Sequence, residues 1–411
     1  MSESMASDPA ADDDREIRIE LIAGEHSGDA LGAKLIGALR ARLGSRLTLA
    51  GVGGEEMARE GFVSEFPLAD VAVMGPLSIL RHLPRIVRRV YATVDRVIAF
   101  DPQCVVIIDS PEFTHPIARR IRRQRPDIPI VDYVSPSVWA WRPGRARKMT
   151  PYVDHILGLL PFEPAAHARL GGPPCTYVGH SLIERQAWLE ALDPAPLRDR
   201  LGLDPAHPVV VMLPGSRSSE VGRLMAPFGE TLRGLAARGV RPHVLMPVVP
   251  HRKAQVADAV RAWSVRPHLL EGDEDKFRAF KMADAALAAS GTVTLELALA
   301  GTPMVVAYRV DPVAAPFLRR MIKAPTTVLA NLVLGENAFP EFHQEKSTPE
   351  ALADALAPLL ADTPERRAQE AALARIPLLM RIDGPSPSAA AAGIVLDYAL
   401  GRRRRDGGAP T

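Results

Sequence analysis

The sequence predicts an α/β protein built from two doubly wound, Rossmann-like domains, and three observations predict it. Apolar runs of strand length alternate with helix-length amphipathic segments, which calls for parallel sheets covered by helices. The alternation fills the first half of the chain and then starts again in the second half. At 411 residues the chain has length for two domains, each able to bury its own core.

In the first half the strand candidates are Ile17–Ile22, Leu47–Gly51, Val105–Asp109, Ile128–Val134 and His155–Leu159. Between the first two, Gly28 to Leu43 places Leu31, Leu35, Leu39 and Leu43 on one helical stripe. In the second half Pro208–Leu213, His243–Pro247, His268–Leu270, Ala285–Ala288 and Pro303–Tyr308 take the strand role. The boundary falls within Gly179–Pro194 and is drawn at 183/184, giving residues 16–183 to the first domain and 184–384 to the second. Residues 1–15 are acidic and polar, unlike a secretory signal, and read as a disordered tail. Residues 401–411 read as a basic flexible tail.

Composition narrows the function. The net charge of +2 gives no bulk reason to expect nucleic acid, although cations cluster at 81–89, 119–125, 142–148 and 402–405. Cys104 and Cys175 are the only cysteines and lack ligand-like spacing, which argues against a zinc site or a disulfide framework and fits a reducing compartment. No apolar stretch reaches the ~18–20 residues of a membrane span. The expectation is a cytoplasmic protein with at most a peripheral membrane contact.

The most informative segment is YVSPSVWAWRPGRARK, Tyr133–Lys148. Trp139 and Trp141 sit beside Arg142, Arg145, Arg147 and Lys148 after a predicted strand, where open α/β sheets place ligands. Aromatic faces interleaved with cations suit a substrate part sugar or lipid and part phosphate. A tryptophan that caps the sheet beside a solvated basic helix is the plainer alternative.

Elsewhere, Asp109 stands at a predicted strand end in IDSPEF (108–113), with Glu112 after a proline turn. A carboxylate there could take a proton from a sugar hydroxyl or simply cap the next helix. AGEHSGD (23–29) sets Glu25, His26 and Ser27 in a loop before a helix whose free amides favour an anion. Turn chemistry with Ser27 or Asp29 as a cap would also explain it. In the second half, LPGSR (213–217) offers Ser216 and Arg217 as a diphosphate clamp. SGTVTLE (290–296) puts Ser290, Gly291 and Thr292 at a helix start, with Glu296 a turn further in for ribose hydroxyls. Asp273-Glu274-Asp275 spells a metal-binding DxD, yet it opens a predicted helix, where acids suit the dipole, so no metal is expected. Met74–Val90 alternates Leu77, Leu80, Leu83 and Val87 with Arg81, Arg85, Arg88 and Arg89, as either a membrane-surface helix or a core-facing helix with a basic side.

The ordered series AGEHSGD, GVGGEEM (51–57), IDSPEF, YVSPSVWAWR, YVGH (177–180), LPGSR, SGTVTLE, PMVVAYR (303–309) and NLVLGENAFPEFHQE (331–345) resembles the lipid-A-disaccharide synthase family over roughly residues 17 to 385. The resemblance implies a B-type glycosyltransferase fold with the active site in the interdomain cleft, and a terminal helix, about 385–400, that returns to the first domain. It implies an inverting transfer of 2,3-diacylglucosamine from UDP to 2,3-diacylglucosamine 1-phosphate, giving the β-1,6-linked disaccharide 1-phosphate and UDP on the cytoplasmic face of the inner membrane. The resemblance implies that Asp109 matches the family's catalytic acidic residue and acts as general base, that Glu25, beside the acceptor sugar, is a second catalytic candidate, and that Gln344 matches a glutamine near the donor phosphates. Asn331, placed with His180 among the candidate residues lining the acceptor cleft, and Glu341 accompany it, with a structural role as the alternative for both Asn331 and Glu341. The chain departs from the family in having Glu112 where Asp is expected, Thr114 where Asn is expected, and Ser181 rather than proline after His180. A UDP-sugar epimerase of the same fold and a non-catalytic nucleotide-sugar or membrane-binding protein remain as rival readings, and oligomeric state stays open.

Overall fold

A computed structural model describes residues 15–72, 76–311, 315, 324–384 and 386–403, with the backbone alone for 76–81. The chain divides into two compact units. The first runs up to Trp139 and adds Pro143–Ser181 and the residues from Ile382 onward; the second holds Ala140–Arg142 and Leu182–Arg381.

In the first unit β1 (Ile17–Ala23), β2 (Leu47–Val52), β3 (Cys104–Ile108), β4 (Ile130–Tyr133), β5 (His155–Gly158) and β6 (Cys175–Tyr177) form one sheet in the order β2-β1-β3-β4-β5-β6. Every neighbouring pair is parallel. The β1 side chains alternate between two layers. Ile17, Ile19 and Leu21 pack with Leu31, Leu35 and Leu39 of α1 (His26–Leu43) and with Ala391, Val395 and Tyr398 of the terminal helix Pro387–Ala399. Ile22 faces the opposite layer, filled by Val90, Val94 and Val97 of a helix over Pro76–Phe100 and by Ile117 and Ile121 of a helix over Pro111–Gln124. With the short α2 (Glu55–Arg59) before them, these two helices are α3 and α4. Next come α5 (Gly144–Met149) and α6 (Glu163–Leu170).

The second unit repeats the plan. Strands β7 (Val209–Leu213), β8 (His243–Pro247), β9 (His268–Leu270), β10 (Ala285–Ala289), β11 (Met304–Tyr308) and β12 (Glu341–His343) stand in the order β12-β11-β10-β7-β8-β9, all parallel. Its helices include α7 (Gln186–Ala191), α8 (Ala195–Leu201), α9 (Ser218–Ala237), α10 (Lys253–Ala259), α11 (Asp273–Met282) and α12 (Val293–Ala300). Val210, Met212, Phe228, Leu232, Leu287 and Leu356 are among the side chains of its core.

Three differences from the sequence reading stand out. The edge strands β6 and β12 were not foreseen, because three residues containing Thr or Glu and His carry no apolar run. The basic helix α3 continues to Phe100, well past Val90, with Pro84 inside it. The third strand stops at Ile108, one residue before Asp109.

Candidate functional site

Strand order fixes where ligands can sit. In the first sheet the order reverses direction at β1 and β3, and a crevice opens beyond the carboxyl ends at such a switch point. AGEHSGD follows β1 and Asp109 follows β3, so the topology sets these two motifs side by side. Ser27 Oγ donates to Asp109 Oδ2 at 2.6 Å. Close packing depends on Gly24 and Gly28: a Cβ on Gly24 would lie 2.5 Å from Ser110 Cβ, and one on Gly28 would lie 2.9 Å from the Ile108 carbonyl oxygen.

Asp109 (φ 56°) and Ser110 (φ 47°) are both left-handed. Such a conformation costs a non-glycine residue of order 1 kcal/mol and persists only where neighbours impose it. Here Asp109 N donates to the Tyr133 carbonyl at 3.0 Å, Ser110 N to Asp109 Oδ1 at 2.7 Å, and Thr114 Oγ1 to the Asp109 carbonyl at 2.8 Å. The turn lifts the carboxylate off the sheet edge while leaving it partly exposed. Capping does not explain Asp109, because the N-cap of α4 is Ser110. Glu112, in the first turn of α4, is exposed and pairs with Arg145 at 2.9 Å. Glu25 occupies the N-cap position of α1 and is half-buried. Asp29 caps the neighbouring helix rather than its own, accepting from Gly54 N (2.7 Å), Glu56 N (3.0 Å) and Met57 N (3.1 Å) at the start of α2.

Beneath this turn lies a polar chain the sequence reading missed. Buried Asp132 on β4 stands 3.2 Å from His115 Nε2, His115 Nδ1 is 3.0 Å from the Tyr152 hydroxyl, and Arg119 donates to that hydroxyl at 3.2 Å. Burial pushes the Asp132 carboxyl up while His115 pulls it down, and the carboxylate of Asp109 is near enough to add to the rise. Its sequence signal was a polar residue inside the apolar strand IVDY.

The tryptophans separate. Trp139 is half-buried, meets Phe162 edge-to-face at 5.2 Å, and donates from Nε1 to Glu163 Oε1 at 3.2 Å. Trp141 carries the guanidinium of the exposed Arg142 4.4 Å above its ring. His180 is held neutral, its pKa lowered to about 4 by burial and then by Lys34.

In the second sheet the switch lies between β7 and β10. LPGSR follows one strand and SGTVTLE the other. Ser216 and Arg217 are exposed, and Arg217, the N-cap of α9, pairs with Glu220 at 2.9 Å. Buried Glu220 also accepts from the amides of Ser216 and Arg217, each at 3.2 Å, which fixes the loop. Ser290 Oγ donates to the Thr327 carbonyl at 2.8 Å, while Thr292 is the N-cap of α12 and Gly291 precedes it. Glu296 lies 3.2 Å from Lys276 Nζ.

Thr327 also lines a cavity of about 610 Å³ with Tyr308, Glu341, His343 and Gln344. Gln344 is held at φ 50° and accepts from Val310 N at 3.1 Å, while its Nε2 is buried with no hydrogen-bond partner. Burial alone would raise the Glu341 pKa, but hydrogen bonds from His343, Thr327 and Thr326 hold it down at about 2. Asn331 needs correcting. It is 1% exposed, and its amide bonds both Phe339 N and the Phe339 carbonyl, at 2.9 Å each. Those bonds make it a buried loop clamp rather than a residue lining a sugar site. The acids of the DxD are each paired with cations: Asp273 with Arg185 and Lys276, Glu274 with Arg278, and Asp275 with Arg200 and Arg278.

The family model for lipid-A-disaccharide synthetase matches residues 19–384. The chain belongs to the lipid-A-disaccharide synthase family. It is 52% identical to the lipid-A-disaccharide synthase of Nitrobacter hamburgensis over 96% of this chain and 98% of that one. It is 51% identical to that of Rhodopseudomonas palustris strain BisB18, over 92% and 95%. Membership makes the protein a glycosyltransferase of lipid A biosynthesis and disfavours the epimerase and non-catalytic readings. Among solved structures it resembles a Staphylococcus aureus MnaA–UDP co-structure (TM-score 0.64, 13% identity, covering 96% and 100%). It also resembles the calicheamicin glycosyltransferase CalG4 (0.56, 17%, 94% and 99%). At such identities these two speak for the fold alone.

The amphipathic segment Met74–Val90 is split by the structure. The side chains of Leu77, Leu80 and Arg81 lie outside the described residues. Leu83 and Val87 are 45% and 44% exposed and align with Tyr91 at 52%, so they do not form the core face. That face belongs to Val90, Val94 and Val97. Arg85 and Arg89 reach Asp70 at 3.4 and 2.5 Å, and Arg88 is exposed. Among the described residues no helix is long and apolar enough to cross a membrane.

Proposed function

We propose that the protein transfers 2,3-diacylglucosamine from UDP to the 6-hydroxyl of 2,3-diacylglucosamine 1-phosphate with inversion. The hydroxyl oxygen attacks the anomeric carbon, its proton passes to the Asp109 carboxylate, and the bond from that carbon to the diphosphate breaks to release UDP. The observation that carries this is the Ser27–Asp109 contact at the β1/β3 switch point. A hydroxyl donor on one carboxylate oxygen and an amide on the other orient the base without removing it from solvent.

On the donor side, Ser216, Arg217, Ser290 with the start of α12, and Gln344 supply a guanidinium, hydroxyls and amides to a diphosphate. Glu296 is the candidate for ribose hydroxyls. No metal is needed in this reading, because charge on the departing diphosphate is met by Arg217 and helix amides, while the acids at 273–275 are paired with cations. On the acceptor side, Glu25, Glu112, the Trp139–Arg142 segment and His180 are the contacts. Leu83 and Val87, flanked by Arg85 and Arg88, would rest on an anionic membrane surface from which acylated substrates are drawn.

The test is purified protein with both acylated sugars, following UDP and the disaccharide. Asp109→Ala should lower turnover by roughly 10²–10⁴ and leave UDP affinity near normal. Near-native turnover would remove Asp109 as the base, and UDP release without acceptor would refute the transfer itself.

A further inference from the structure

The tryptophan loop is not held by its own strand alone. Its first residue, Tyr133, gives its carbonyl to Asp109 N, so the loop leaves directly from the catalytic turn. The next residue, Val134, sits at φ 92°, a conformation a β-branched side chain adopts only when neighbours force it. Two polar contacts beyond this point come from one short helix. Ser135 Oγ lies 2.7 Å from His167 Nε2, and Trp139 Nε1 donates to Glu163 Oε1 at 3.2 Å. Glu163 and His167 are four residues apart on α6 and therefore share a face. Both are at least nine-tenths buried, at 3% and 0% exposure, and neither is consumed by the transfer chemistry.

We propose that Glu163 and His167 are positioning residues that clamp the acceptor-side loop 133–139 onto the end of the sheet, with Glu163 setting the orientation of Trp139. The proposal rests on the acceptor reading of that loop given above. Glu163 is built for the task. Its Oε2 accepts from Leu159 N at 2.7 Å and Leu160 N at 3.0 Å, leaving Oε1 for the indole. Gly158 leaves the room, since a Cβ there would stand 3.0 Å from Oε2 and 3.1 Å from Cys175 Sγ.

The surroundings make the clamp sensitive to protonation. Asp132 on β4, Cys175 and Tyr177 on β6, and His167 on its own helix are the titratable groups around Glu163. Burial, the largest influence, and then the charge of Asp132 raise the Glu163 pKa, the three hydrogen bonds oppose them, and the balance falls at about 7. His167 is kept neutral by burial, its pKa lowered to about 4. An ionised carboxylate accepts a stronger hydrogen bond than a neutral acid, so the hold on Trp139 tightens as pH rises through about 7.

The experiment reads the clamp in two ways. Without substrate, tryptophan emission of the native protein should titrate near pH 7, and the transition should vanish in Glu163→Gln and in Trp139→Phe, which keeps an aromatic ring but lacks the N–H. In turnover, both variants should raise acceptor KM about ten-fold, the worth of one charge-assisted hydrogen bond. Donor KM should not move, and the double variant should cost no more than either single one. Ser135→Ala should raise acceptor KM while keeping the emission transition, because Glu163 is untouched. An emission transition that survives Glu163→Gln overturns the assignment, as does a Ser135→Ala variant with native acceptor KM for His167. Equal changes in donor and acceptor KM would mark a merely structural role. Failure of the transfer reading would show separately, as native protein without disaccharide product but with the emission transition intact.

Discussion

The Glu20 carboxyl on β1 should make the first unit lose stability as pH rises. Strand alternation puts it on the same face as Ile22, under α3, where it is 0% exposed and both oxygens lack a hydrogen-bond partner. Burial is the main cause of a pKa raised from 4.5 to about 8; Glu65 adds to the rise and Arg96 opposes it. Glu65 is itself raised to about 7 by burial, against Arg96 at 3.4 Å. A carboxyl whose folded pKa exceeds its unfolded one holds its proton more tightly when folded. Its stabilising contribution is complete below pH 4.5 and is lost as pH climbs through about 8. At about 1.4 kcal/mol per pH unit over that window, the loss is roughly 3–5 kcal/mol. Glu20→Gln mimics the protonated acid in shape and charge, so it should match the native protein at pH 5 and exceed it at pH 8. At roughly 2–4 °C per kcal/mol for a unit of this size, the gap between their melting temperatures should open by about 6–20 °C. Thermal melts of both proteins across pH 5–8 check this, since titrations common to both cancel. A gap that stays constant with pH would show that Glu20 does not carry a proton into the neutral range.

Arg217→Ala should weaken UDP and donor binding and leave acceptor affinity unchanged, with lysine a poor replacement because it lacks the planar fork; unchanged UDP affinity by calorimetry would remove Arg217 from the site. Turnover should persist in EDTA, and a complete loss restored by a divalent cation would return a metal role to Asp273–Asp275. Leu83→Ser with Val87→Ser should change stability by less than about 0.5 kcal/mol, as for exposed positions, yet reduce flotation with anionic vesicles. Undiminished flotation would exclude α3 as the docking face, and unfolding would mean that these side chains are core after all.

Legibility in the sequence followed the strength of the local signal. Central strands such as Val209–Leu213 and Ala285–Ala289 are buried on both faces, so their apolar runs announce them. Edge strands β6 and β12 are stabilised by a neighbour instead of by composition, and nothing local marks them. Motifs bound to strand ends, Asp109 and Ser290 among them, fell where the alternation predicted, because the chain must turn there. Asn331 misled because a polar side chain in a short helix just before Gly335 reads equally as ligand contact or as clamp, and the choice depends on the backbone of Phe339 eight residues on. The partners of Glu163, His167 and His115 lie on other segments of the chain, so nothing local marked those residues, while Asp132 showed only as a polar residue inside IVDY.

The terminal helix carries a consequence for how the protein is made. Ala391, Val395 and Tyr398 fill the same layer as Ile17, Ile19 and Leu35, so β1 and α1 wait for a helix made after the whole second unit before their core is closed. While the ribosome is still extending the chain, α1 keeps an apolar stripe uncovered, whereas the sheet of Leu182–Arg381 already has all its strands. The second unit can therefore mature first, against the usual amino-to-carboxyl order. Premature termination just before Pro387 would release a nascent product whose second unit is finished and whose first unit is sticky, a substrate for chaperones and proteases.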